Sequence, residues 1–168
     1  AERLGPRLGQ TASVENKPGA SEQIAITSVT KAAPDGYTIL LSTLSGLAVN
    51  PGLYGPRLPY NPTKDLSPIL LAATVPSVVV VHPSVPVKSA KEVVALSKAT
   101  KGGINFGSNG TGTTSHLAGA MFAQMSGAAL THIPYTGAAP ALNALVGGEA
   151  EMAFPGVNSA APFLRANK

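Results

Sequence analysis

Ile104-Asn105-Phe106-Gly107-Ser108-Asn109-Gly110-Thr111-Gly112-Thr113-Thr114-Ser115-His116-Leu117-Ala118-Gly119 is the stretch from which the fold can be read. Ile104 and Phe106 alternate as one face of a short strand does, glycines then break it, and residues 115–126 read as a helix. A strand that runs through glycines and hydroxyls into a helix start predicts unpaired N–H groups aimed at one point, with the positive end of the helix dipole behind them. Such a place seats anions. The residues predicted to form the seat are Ser108, Asn109, Gly110, Thr111, Gly112, Thr113 and Thr114, in a segment dense in hydroxyls.

Working outward, strands are predicted at 78–81, 104–106, 130–133 and 151–154, and helices at 89–99, 115–126, 139–146 and 159–166. Ser89 with Glu92 three residues on forms a capping box. This alternation is that of successive β-α units, and predicts an α/β fold with a parallel or mostly parallel sheet, flanking helices and right-handed crossovers. Residues 107–114, 135–138 and 156–159 then share one sheet edge, the place where ligands sit in open α/β sheets. Thr136, Gly137, Ala138 and Asn158 join the site on that ground. No lysine or arginine lies in these turns. N–H groups and hydroxyls would hold the anion, as suits a carboxylate.

Toward the N-terminus the pattern is less regular. Residues 2–8 read as the last turns of an amphipathic helix closed by Gly9, as if a domain began mid-helix. Residues 13–15 read as a short strand and 22–33 as a helix stopped by Pro34-Asp35-Gly36. Residues 37–41 read as a strand that enters the hydroxyl-lined loop Ser42-Thr43-Leu44-Ser45-Gly46, which adds Thr43 and Ser45 to the candidate site. The proline- and glycine-rich stretch 50–62 is expected to form a structured loop without a regular element. Residues 66–73 and 77–81 read as strands broken at Pro76, which places a boundary near 74–77. The expected units are therefore residues 1–76 and residues 77–168.

Composition narrows the function classes. Only 12% of residues are charged, and the net charge of +4 is scattered along the chain, which argues against a nucleic-acid surface. Cysteine is absent, so neither disulfides nor thiolate metal sites are available. No apolar run approaches the roughly 20 residues that cross a bilayer, so the chain is not expected to be membrane-embedded. Gly107-x-x-x-x-Gly112 has the spacing of a phosphate loop, but Thr113 stands where its lysine belongs. Gly110-x-Gly112 opens a dinucleotide pattern whose third glycine is Ser115 and whose ribose-binding acid is missing. His82, His116 and His132 lie on separate elements without the spacing of metal ligands, and each is expected to hydrogen-bond locally. No Gly-x-Ser-x-Gly elbow occurs, and Glu149 and Glu151 look like solvated charges, so no acid-base pair can be nominated. These observations give no catalytic residue, metal or cofactor, and favour binding over catalysis. The competing readings are an enzyme acting on a small organic acid and a sensor receptor docking on a signalling partner.

Several segments together, Val14-Glu15-Asn16-Lys17-Pro18-Gly19-Ala20, Ala32-Ala33-Pro34-Asp35-Gly36-Tyr37-Thr38, Asn50-Pro51-Gly52-Leu53-Tyr54, Pro59-Tyr60-Asn61-Pro62-Thr63-Lys64-Asp65, Asn105-Phe106-Gly107-Ser108, His116-Leu117-Ala118-Gly119 and Ile133-Pro134-Tyr135-Thr136-Gly137, carry a resemblance to a known family. The chain resembles the Bug receptors, the extracytoplasmic solute-binding proteins of tripartite tricarboxylate transporters. The resemblance implies a periplasmic-binding-protein-like type II clamshell of two lobes. It also implies a periplasmic location, a small carboxylate ligand, and delivery to membrane permease subunits. By the same comparison the chain looks like an interior piece truncated at both ends, with part of lobe one in residues 1–76 and most of lobe two in 77–168. Two departures stand out. Ser21-Glu22-Gln23 replaces the family's usual Gly-Gly-Asn and brings in a negative charge, and Phe154-Pro155 replaces a frequent Phe-Asp, which favours a plain acid over an amino acid.

Overall fold

In the computed structural model, which describes residues 3–166, the sheet is built by the second half of the chain. Its strands are β1 (Val80–Val81), β2 (Ile104–Ser108), β3 (Leu130–Pro134) and β4 (Met152–Ala153), in the spatial order β1-β4-β2-β3. β2 runs parallel to both β3 and β4. β1 is antiparallel to β4, and this pairing continues as an isolated bridge between Ser77 and Gly156. The predicted mostly parallel sheet is present with one antiparallel edge.

Helices α4 (Ala90–Ala99), α5 (Thr114–Ser126), α6 (Ala138–Val146) and α7 (Val157–Arg165) follow β1 to β4 in turn. Each lies within two residues of its predicted bounds. Ser89 caps α4 by accepting the Glu92 N–H at 3.3 Å, and the Glu92 carboxylate reaches back to the Lys88 N–H at 2.6 Å. Together the two bonds satisfy donors the helix start would otherwise leave open.

The core follows from the strand pattern. Val93, Ile104, Phe106, Met152 and Phe154 form one buried cluster between the sheet, α4 and α5. Leu142, Leu145 and Ala153 form a second on the other face of β4, with Phe163 of α7 against it. β2 is buried along most of its length, as a central strand covered on both faces must be. α5 comes so close to β2 that a Cβ on Gly119 would stand 2.8 Å from Cδ2 of Phe106.

The described residues before 77 pair into no strand, contrary to the strands expected at 13–15, 37–41 and 66–73. Tyr37, Ile39 and Leu41 are exposed, as are Ile69, Leu70 and Leu71. Both of the longer segments are apolar, but a strand exists only as one side of a hydrogen-bonded pair, and no described residue pairs with them.

The helices there are short. α1 (Gly5–Leu8) ends at Gly9 in the left-handed region, as predicted, while its expected start at Glu2 lies outside the described residues. A 3₁₀ turn at Ala20–Glu22 leads into α2 (Gln23–Thr30), which is shorter than the predicted 22–33. The stretch expected to lack regular structure does hold some. A π-helical turn at Ser45–Val49 runs into α3 (Asn50–Tyr54) and a further 3₁₀ turn at Gly55–Arg57. Pro51 lies inside this continuous helical run, directly after the π-helical turn, an irregularity of the kind that accommodates a proline within a helix.

Candidate functional site

Because β4, β2 and β3 are parallel neighbours, the turns after all three emerge on one sheet edge. Residues 107–114 occupy its middle. Tyr135, just past β3, donates its N–H to Ser108 O at 2.9 Å, and its ring and carbonyl lie against Gly107 and Gly110. On the far side of the turn, Ser21 Oγ donates to Thr111 O at 2.6 Å. A Cβ on Gly112 would stand 2.6 Å from Leu53 Cδ1 and 3.9 Å from Asn50 Oδ1. The loop thus lies at the seam between the sheet and the helices of the first half of the chain.

Within it, the donors are less free than the sequence predicts. Ser115 Oγ accepts the Asn109 N–H at 3.0 Å, Ser108 Oγ the Gly110 N–H at 3.1 Å, and His116 Nδ1 the Gly112 N–H at 3.1 Å. The Thr113 N–H bonds Gly110 O at 3.2 Å. Three hydroxyls also serve the loop itself. Ser108 is fully buried, Ser115 is nearly so, and Thr113 donates to Gly110 O at 2.6 Å while capping α5. A set of unpaired N–H groups converging on one point is therefore corrected to a smaller set. The N–H groups of Thr111, Thr114 and Ser115 have no intramolecular partner among the described residues, and the side chains of Thr111 and Thr114 are exposed. Glycine is needed at two positions here, since Gly110 and Gly112 take φ of 128° and 81°.

Two histidines support the loop from beneath. His132 on β3 lies 2.6 Å through Nε2 from Ser108 Oγ. Its ring stacks on His116 at 4.0 Å between centroids and on Phe106 at 4.9 Å. Burial lowers the pKa of both imidazoles below the ordinary histidine value, and the neighbouring His116 lowers that of His132 further. As His116 Nδ1 accepts a hydrogen bond, the neutral ring carries its proton on Nε2. His82 instead pairs with Ser84, 2.7 Å from Nδ1. The sequence placed the histidines on separate elements, and the sheet register brings two of them into contact.

The remaining predicted residues divide into two groups. Thr136, Gly137 and Ala138 lie at the start of α6, where Gly137 takes a φ of 137° and has open space about it. Asn158 is exposed in the first turn of α7, on the same edge beyond β4. Thr43 and Ser45 belong to the first half of the chain, and neither offers its groups freely. Ser45 is 2% exposed and donates its N–H to Thr43 Oγ1, and Thr43 is bonded to the carboxylate of Glu22. Glu151 also departs from expectation, since its carboxylate accepts the Asn105 N–H at 2.8 Å and so is not a solvated charge.

Asn50 was not among the expected site residues. It is wholly buried and donates to Ser21 O at 2.8 Å and to the Tyr60 hydroxyl at 3.0 Å, while Tyr60 donates to Gly46 O at 2.6 Å. Its Oδ1 is buried without a partner and faces the Gly112 side of the seam. Its sequence signal was its place in Asn50-Pro51-Gly52-Leu53-Tyr54, one of the segments that carry the family resemblance. Among the described residues no cluster of histidine and carboxylate side chains could hold a metal.

A mostly parallel α/β sheet with neutral, donor-bearing turns gathered on one edge is an architecture suited to holding a small ligand, and comparison with known proteins identifies the class. The profile of the tripartite tricarboxylate transporter family receptor, TctC, matches residues 1–168. The chain belongs to this family. BugT of Bordetella pertussis is 39% identical over 149 residues, covering 88% of this chain and 45% of BugT. Among solved structures, Rpa4515 of R. palustris with adipate superposes on 99% of this chain and 56% of its own with a TM-score of 0.94 and 31% identity. The periplasmic binding protein BugD does so over 100% of this chain and 56% of its own, with a TM-score of 0.89 and 35% identity. The chain spans about half the length of the curated relatives it matches. Its backbone follows that of about half of a periplasmic binding protein.

Proposed function

We propose that this protein is a periplasmic solute receptor that captures a small carboxylate and delivers it to the membrane permease of a tripartite tricarboxylate-type transporter. The observation that carries the reading is the loop 108–114, whose exposed Thr111 and Thr114 and free N–H groups stand at the N-terminus of α5, opposite the first half of the chain. A carboxylate there would accept charge-assisted bonds from neutral donors backed by a helix dipole. The relatives support the class of ligand, since Rpa4515 was solved with adipate. The hydroxyl–imidazole pair at the loop, Ser108 with His132, has its hydroxyl wholly buried, out of reach of a bound acid, which favours carriage over turnover.

Ser108, Asn109, Gly110, Gly112 and Thr113 would then shape the seat, Thr111 and Thr114 would touch the acid, and Thr136, Gly137, Ala138 and Asn158 would line the rest of the edge. Residues 1–76 and 77–168 would belong to two lobes hinged near 74–77. In support, the sheet and both apolar clusters lie wholly after residue 76, while Pro76 and Val78 are pinned to residues 155–157 by backbone bonds. The test is a thermal-shift screen of the full-length protein against mono-, di- and tricarboxylates. A ligand at a hundred times its dissociation constant adds about 2.7 kcal/mol of stability. A shift with an acid recovered unchanged supports the receptor, whereas turnover of the acid, or no shift with any acid, would refute it.

A further inference from the structure

Glu22 carries this inference, which rests on the receptor reading above. Its carboxylate is held by three neutral donors: Ser42 Oγ at 2.6 Å and the Thr43 N–H at 3.0 Å on Oε2, and Thr43 Oγ1 at 2.5 Å on Oε1. Two hydroxyls and a backbone N–H around one carboxylate are the arrangement expected of a loop that binds a carboxylic acid. Gly46 leaves the room for it, since a Cβ there would stand 2.8 Å from Oε2.

Backbone strain shows that the placement is specified. Ala20, Ser21 and Glu22 all have positive φ, of 46°, 49° and 74°, a region in which side chains are disfavoured. Ser21 is clamped on both sides, its Oγ on Thr111 O and its carbonyl on the Asn50 amide. The pair Ser21-Glu22 therefore reaches the anion loop 108–114 through one residue and the hydroxyl loop 42–45 through the next. Among the described residues the single ion pair is Lys17 with Glu15, so no cation neutralises Glu22.

We infer that Glu22 is a specificity-determining residue: its carboxylate occupies the donors of Ser42 and Thr43, so the protein takes acids with one carboxylate and rejects those with two. A monocarboxylate can place its single charge on the loop 108–114 and turn a neutral end toward Glu22. A dicarboxylate would bring its second charge toward donors already used and a carboxylate that repels it.

The experiment is calorimetric titration of the full-length protein and its Glu22→Gln and Glu22→Gly variants with short straight-chain monocarboxylates and the dicarboxylates of equal length. Gln keeps the side-chain length, Gly suits the positive φ, and a melting curve for each variant verifies folding. Wild type is expected to favour the monocarboxylate, and both variants to shift the affinity ratio toward the dicarboxylate by about tenfold or more. Binding of acids with the same ratio in all three proteins, or a wild-type preference for the dicarboxylate, would overturn the inference and leave the receptor reading standing. No binding of any acid by any of the three folded proteins would remove the receptor reading and this inference with it.

Discussion

The imidazoles of His116 and His132 stack at 4.0 Å between ring centroids and 25° from parallel, although 15 residues separate them along the chain. Burial lowers both pKa values, and His116 adds to the effect on His132. Above the unfolded histidine pKa of about 6.5 both rings are neutral in either state, and their contribution to stability is complete. As pH falls below that value the unfolded chain takes up protons first, so stability declines until the folded pKa values are passed. Urea melts between pH 8 and pH 5 should show this decline in wild type and a shallower one in His132→Asn. Parallel curves for the two proteins would disprove the account.

Gly119 on α5 sets the distance between that helix and β2. A Cβ there would press into the Phe106 ring, which is itself fixed by Phe154 edge-on at 5.8 Å. Alanine favours helix by about 1 kcal/mol over glycine, so an exposed glycine would gain from the change. Here overpacking should dominate, and Gly119→Ala should lose about 1–3 kcal/mol in urea melts. A gain would mean that α5 moves away from the sheet freely.

Ala20 is the one residue of the strained turn with no polar side-chain group. Its φ of 46° is disfavoured for any residue with a Cβ. Ala20→Gly should therefore stabilise the protein by about 1 kcal/mol, net of the entropy glycine adds to the unfolded chain. A melting point raised by roughly 2–4 °C is the expected reading.

Gly112 combines a φ of 81° with a would-be Cβ contact on Leu53. Gly112→Val should abolish the stabilisation by carboxylates, because it blocks the approach to the seat and strains the loop. The double variant Gly112→Ala with Leu53→Ala separates the two causes. It should recover the part due to the Leu53 contact and retain about 1–2 kcal/mol from backbone strain. Acid binding by Gly112→Val equal to that of wild type would rule out the seat.

The second half of the chain was legible in its residues to within a turn of helix. Ser89 with Glu92 marks a helix start by local chemistry, and the alternation of Ile104 with Phe106 marks a buried strand without reference to anything distant. Residues 37–41 and 66–73 have the same strand-like composition and form no strand, because pairing is supplied by a neighbour and not by the segment. Pro51 misled in the other direction, since the helical run it sits in opens upstream and takes the proline in beside a π-helical turn, which no local pattern announces.

By itself the sequence determined the β-α order, the glycine turn after Phe106 and the absence of any lysine there, since each depends only on residues near one another in the chain. Tertiary structure alone decided which donors remain free. Ser108, Thr113 and Ser115 look alike in sequence to Thr111 and Thr114, yet the first three turn inward to satisfy the loop and the other two face out. It also decided that Glu22 reaches Thr43, 21 residues on, and that His116 meets His132. Hydrogen bonds and stacking between such residues depend on where the sheet register and the loop turns set them in space, which no local pattern encodes.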